Sequence, residues 1–267
     1  LPSLSWNIGR VAGIDLYLHP TFLILLVVVA ASQGGLLAAA LMAAVFGCVL
    51  LHELGHALSA RRFYGIQTED ITLYPIGGVA RLERMPRKPG PEIVITLAGP
   101  LVNVALAGGF ALLGGVLEAA APGSLLGWFA RALFYINLAL AGFNLIPAFP
   151  MDGGRILRAV LTSWLGRLRA TEIAAGLGRL LAMGFGAYSL LNGQVLHAVL
   201  AGFIYLAAWA EVAKVREEER PRFDPPDFWG DGFGGGRGGR WAKAARGTWR
   251  VAPILVTVDN NPRTRRR

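Results

Sequence analysis

"CVLLHELGHAL", from Cys48 to Leu58, sets two histidines and a glutamate inside an otherwise oily run that begins near Leu36. An ionisable side chain at membrane depth is costly and by default marks a functional site. On a helix, residues four apart share a face. His52 and His56 therefore project side by side, with Glu53 following directly. The stretch predicts a membrane helix built around chemistry.

The rest of the chain agrees with a membrane setting. Of its 267 residues, 54% are hydrophobic and 16% charged, with a mean hydropathy of +0.48. A soluble domain carries about 25% charged residues. The net charge of +9 comes mainly from arginine. Because the basic residues sit beside apolar segments, where lipid head groups meet them, the expected partner is a bilayer and not a nucleic acid. With Cys48 as the only cysteine, no internal disulfide is possible.

Six apolar segments approach the ~20 residues needed to cross the hydrocarbon: roughly 16–33, 36–60, 91–117, 125–148, 170–191 and 194–213. The expected fold is an all-α polytopic membrane protein of about six transmembrane helices, with a short membrane-associated β-hairpin near the site. Segment 16–33 also fits a secretory signal. The connections at 61–90 and 155–169 are rich in Arg and Lys, and those near 32–35, 118–124 and 192–193 have none. This alternation places both termini in the cytoplasm of a multi-pass cell-membrane protein. Residues 1–216 are read as the membrane domain. Residues 217–267, containing "EEERPRFDPPDFWGDGFGGGRGGR", are read as a flexible cytoplasmic tail. Within it, "WAKAARGTWR" (Trp241–Arg250) fits an interfacial segment and plain disorder equally well.

His52, Glu53 and His56 form the H-E-x-x-H arrangement in which two imidazoles hold zinc and the glutamate serves as general base. Catalytic zinc normally has three protein ligands. Cys48, one turn before His52, is a formal candidate, although a small packing role suits it as well. Asp152, in "NLIPAFPMDGGRILRAVL", is the preferred third ligand. Pro147 and Pro150 interrupt the fourth segment there, and irregular backbone at membrane depth is tolerated only beside protein or a cavity. Asp152 also fits a helix N-cap. One Zn²⁺ with Asp152 and Glu53 ionised and both histidines neutral sums to zero, which eases burial.

With these motifs in place, the sequence resembles the site-2 protease family of intramembrane zinc metalloproteases. The match lies in "HELGH", the "GG" of "LYPIGGVARLE", "LAGPLVN" (97–103) and "NLIPAFPMDGG" (144–154), across roughly residues 20–160. The resemblance implies His52, His56 and Asp152 as zinc ligands and Glu53 as catalytic base. It also implies regulated intramembrane proteolysis: cleavage, within the bilayer, of a single-span substrate such as a membrane-tethered regulator. The connection at 61–90 is too short for the PDZ insertion of some relatives, and the tail lacks the pattern of paired nucleotide sensors. A minimal six-span form is expected.

Further positions carry expectations. Gly77 and Gly78 lie between strand-like runs, which signals a hairpin. Such a hairpin either pairs with an unwound substrate by β-augmentation or is an ordinary interfacial loop. Asn144 matches a family position associated with substrate, where its amide would face the developing oxyanion. An interhelical hydrogen bond is the alternative, and is equally open for Asn137 and favoured for Asn103. "AGP" at 98–100 predicts close helix packing. His19 is expected at a membrane edge and His197 in the core. Two rival functions are a transporter whose ionisable residues line an ion path and a silent scaffold that binds membrane helices. The arginine-heavy usage suggests a prokaryotic source.

Overall fold

The structure, a computed structural model, describes residues 5–32, 35–75, 77–83 and 86–220. The expected tail boundary falls at the end of the last helix, and the tail beyond Arg220 lies outside the described residues.

Elements run in the order β1 (Trp6–Val11), β2 (Ile14–Leu18), α1 (Pro20–Ala31), α2 (Gly35–Tyr64), β3 (Thr68–Tyr74), β4 (Gly77–Leu82), α3 (Pro89–Ala120), α4 (Leu125–Asn144), α5 (Asp152–Leu165), α6 (Arg167–Leu191) and α7 (Val195–Glu218). Helices α2, α3, α4, α6 and α7 are each long and apolar enough to cross a membrane. α2, with 30 residues, reaches about 45 Å against a hydrocarbon core of about 30 Å. Their outward faces carry Leu112, Leu191, Leu196 and Trp209, all exposed, as expected of surfaces that meet lipid.

The first apolar segment divides into two elements. Its first residues form β2, and the apolar helix α1 has only 12 residues, about 18 Å. The boundary is chemical. His19 caps the helix, its Nδ1 accepting from the Thr21 backbone N–H, and Pro20 follows at a position where no N–H is needed. Only His19, Pro20 and Thr21 interrupt the apolar run "LYLHPTFLILLVVVA", so hydropathy averaged over a span joins strand to helix.

The β-structure is larger than a hairpin. Four strands lie in the order β1-β2-β3-β4, with β2 and β3 parallel and the outer pairs antiparallel. Ile14, Leu16 and Ile71 pack on Leu54 and Ala57 of α2, in the same turns as the histidines. The sheet is thereby fixed to the helix that carries the H-E-x-x-H motif. Among the described residues, β4 is an edge strand, with one side free of ladder partners.

α4 stops at Asn144, and residues 145–151 run irregularly before α5, as the prolines predict. This segment is tightly held. Phe149 is buried among Ala174, Ala175 and Ala208, and its N–H donates to the Ala174 carbonyl at 3.2 Å. A Cβ on Gly178 would lie 1.9 Å from the Phe149 carbonyl oxygen. Across the segment, the guanidinium of Arg158 sits 5.0 Å from the Phe149 ring centroid. Arg158 also bonds Glu92 of α3 and donates to Glu211 of α7 at 2.7 Å. Arg167 of α6 lies 3.5 Å from the other oxygen of Glu92. Two arginines and two glutamates so join α3, α5, α6 and α7. By sequence, Arg158 and Arg167 read as loop charges, yet Arg158 is 1% exposed. His197 departs from expectation in the other sense: it is exposed on α7, its ring edge toward Phe185.

Candidate metal centre

Two elements converge on one point. α2 supplies His52 and His56 from adjacent turns, and α5 supplies Asp152 as its first residue. His52 Nε2 and His56 Nε2 each lie 3.1 Å from Asp152 Oδ2 and 3.1 Å from each other. All three residues are buried. Met151, not Asp152, occupies the N-cap position, so the aspartate carboxylate is directed to the histidines.

The far ring nitrogens settle the tautomers. His52 Nδ1 donates to Asn103 Oδ1 of α3, and His56 Nδ1 donates to the Ile95 carbonyl at 2.8 Å. Asn103 cannot be turned over, because its Nδ2 donates to Asn137 Oδ1 at 2.8 Å. Asn137 is fixed in turn by donating to the Leu133 carbonyl at 2.9 Å and to Cys48 Sγ at 3.3 Å. With both Nδ1 protons committed, both Nε2 atoms present lone pairs. Three lone pairs then face one another with no proton between them, an arrangement that a cation relieves. A tetrahedral zinc with bonds of 2.0–2.1 Å has ligand separations of about 3.3 Å, close to the triangle observed. The donor set fits zinc.

Cys48 does not join this group. Its thiol accepts from Asn137, one link in the chain that orients His52. The interhelical hydrogen bond that sequence favours for Asn103 and leaves open for Asn137 forms at both, but its connection to His52 depends on α3 and α4 both passing α2. The "AGP" packing also has a specific object. A Cβ on Gly99 would lie 2.3 Å from His56 Nε2 and 2.6 Å from His52 Nε2, so α3 crosses directly over the histidine pair.

Glu53 is half-buried beside a cavity of about 510 Å³ that also touches His52, His56, Asp152, Asn144 and residues 78–82 of β4. Gly78 abuts Glu53, since a Cβ there would lie 2.7 Å from Glu53 Cγ. Gly77 opens the strand with φ of 138°, a conformation that favours glycine. The Asn144 amide donates to the Leu140 carbonyl of its own helix at 3.0 Å. His52, Glu53, His56, Gly78, Asn144 and Asp152 therefore border one cavity, with Gly77 next in the chain to Gly78, whereas Cys48, Asn103, Asn137, His19 and His197 lie outside its lining.

A helical membrane bundle with a buried two-histidine, one-carboxylate site defines a class, and comparison with known proteins agrees with it. The profile of peptidase family M50 matches residues 40–123 and 115–185, and the chain belongs to that family. It is 38% identical over 218 residues to a zinc metalloprotease of Methanocaldococcus jannaschii, covering 80% of this chain and 62% of that protein. A Synechocystis relative is 34% identical over 205 residues, 70% of this chain and 53% of its own length. The chain thus spans less than two thirds of these curated relatives. Among solved structures, the site-2 protease from Methanocaldococcus jannaschii superposes with a TM-score of 0.62 at 37% identity, over 78% of this chain and 95% of that one. The chain is a multi-pass membrane protein of peptidase family M50.

Proposed function

We propose that the protein is an intramembrane zinc endopeptidase that hydrolyses a peptide bond in a membrane-spanning substrate. The observation that carries the proposal is the convergence of His52 Nε2, His56 Nε2 and Asp152 Oδ2 beside Glu53 on one cavity. His52, His56 and Asp152 would hold one zinc ion, which when bound supplies a Lewis acid and lowers the pKa of water to about 7.

The remaining work falls to the chain. Glu53 takes a proton from the attacking water and returns it to the leaving amine. Asn144 releases its helical carbonyl and donates to the oxygen that gains charge. The open edge of β4 offers backbone groups to an extended segment, and Gly77 and Gly78 keep side chains out of its path. A substrate helix must unwind first, because its carbonyls are otherwise hydrogen-bonded. The basic connections support cytoplasmic termini and water entry from that side. By the chain's resemblance to the family, the substrate is a single-span, membrane-tethered regulator; the arginine-heavy usage suits a prokaryotic cell, and residues 217–267 form a cytoplasmic tail.

The test is a single-span protein co-reconstituted with the purified enzyme in liposomes, with and without a zinc chelator and beside Glu53→Gln. Chelator-sensitive cleavage absent from the variant is the expected result. Ion flux that survives Glu53→Gln, with no cleavage, would instead favour the transporter.

A further inference from the structure

We infer that Arg155 and Lys214 form an anion-accepting subsite that selects substrates carrying aspartate or glutamate close to the bond that is cut. This rests on the protease proposal above and adds to it the chemistry of the preferred substrate.

Position is the first reason. Arg155 lies three residues after Asp152, one turn along the same face of α5. Lys214 lies three residues after Glu211 on α7, and Glu211 accepts from Arg158 of α5 at 2.7 Å. That bond holds the two helices together, and both cations line the cavity that contains His52, Glu53 and Asp152.

Availability is the second. Arg158 and Arg167 are paired with Glu92, Arg216 with Glu172 at 2.9 Å, and Arg81 with Asp70. Among the described residues, Arg155 and Lys214 have no ion pair and no hydrogen bond. Arg155 is half-buried and makes no direct bond to a carboxylate; Glu53, Asp152 and Glu211 act on it only through space. An arriving carboxylate supplies the direct bond.

Charge distribution is the third. Zn²⁺, Asp152 and Glu53 balance among themselves, leaving the two cations over. The other carboxylate on the cavity wall, Glu69, stands beside the Arg81–Leu82 end of β4. That end is about 13 Å of strand from Gly78, which touches Glu53. Arg81 also lines the wall at that end, but it is paired with Asp70, so the cavity-lining cations left without an ion pair among the described residues are Arg155 and Lys214. One helical turn equals about 5 Å, or one to two residues of extended chain. Allowing for arginine's own length, the favoured acidic residue lies within about three residues of the cut bond.

The experiment uses the full chain in liposomes. A single-span test protein with a mapped cleavage bond carries Asp, Asn or Lys at each of three positions on either side of it. At one or more of these positions, the Asp substrate should be cut about fivefold faster than the Lys substrate, as expected of a partly buried ion pair. Arg155→Glu/Lys214→Glu should invert the order. Because the readout is a ratio between substrates, loss of folded protein does not alter it. Equal cleavage of Asp and Lys substrates at all six positions overturns the inference, as does an order unchanged in the double variant. In either case the two cations serve topology alone. Cleavage of none of the substrates overturns the protease proposal itself.

Discussion

Asn103 of α3 accepts the Nδ1 proton of His52 of α2, and through that bond the interior of the bundle determines which nitrogen faces the metal position. The acceptor is itself oriented by Asn137 and, beyond it, by Leu133 and Cys48. A buried polar network of this kind is stable only when every member is satisfied.

Asn103→Leu removes the acceptor and strands a buried N–H, at a cost of about 1–3 kcal/mol. It also frees His52 to adopt the wrong tautomer. Zinc affinity, measured by chelator competition, should fall by about 10–100-fold, the usual effect of losing a partner behind a metal ligand. Unchanged affinity would show that the network serves helix packing only.

Glu53→Gln keeps the shape of the side chain and removes the base. The variant should be purified with the same zinc content as the parent and cleave at least about a hundredfold more slowly. Equal activity would falsify the assignment of Glu53.

Asp152→Ala leaves two imidazoles and no carboxylate. Elemental analysis should find less zinc per chain. Full stoichiometry would remove Asp152 from the site.

Gly99→Ala sets two effects against each other. Alanine in a helix is favoured over glycine by about 1 kcal/mol, but its Cβ would press on both Nε2 atoms. Histidine rings tethered at Nδ1 cannot retreat far. Zinc content and activity should drop even where thermal stability holds. Retained zinc would mean that α3 shifts away at little cost.

Arg158→Met breaks the charge cluster that joins α3, α5 and α7. It leaves Glu92 and Glu211 without their main partner. Removing one member of a buried pair costs about 3–5 kcal/mol. The melting temperature in detergent should fall markedly, and Arg158→Lys should restore only part of it, since a lysine cannot bond both carboxylates in the same planar geometry. A melting temperature within a degree of the parent would contradict the clamp.

The sequence by itself determined the membrane class, the five long helices and which residue types make up the candidate metal-binding group. These depend on local chemistry: apolar length sets a span, and i,i+4 spacing sets a helix face. It also placed the break before Asp152, because prolines act where they stand. It did not show that the first apolar segment splits into strand and helix, since hydropathy has no marker for the change at His19-Pro20. Nor did it show the four-stranded sheet, which pairs β2 with β3 across the whole of α1 and α2. Tertiary structure alone decided which groups serve the site. Asn103, Asn137 and Gly99 acquire their roles only because α3 and α4 cross α2 at that level. Arg158 is buried and paired while Arg155, one turn away, is left facing the cavity. In sequence the two arginines are alike; neighbours from distant helices make them different, and burial with a partner or without one is a property of the packed bundle.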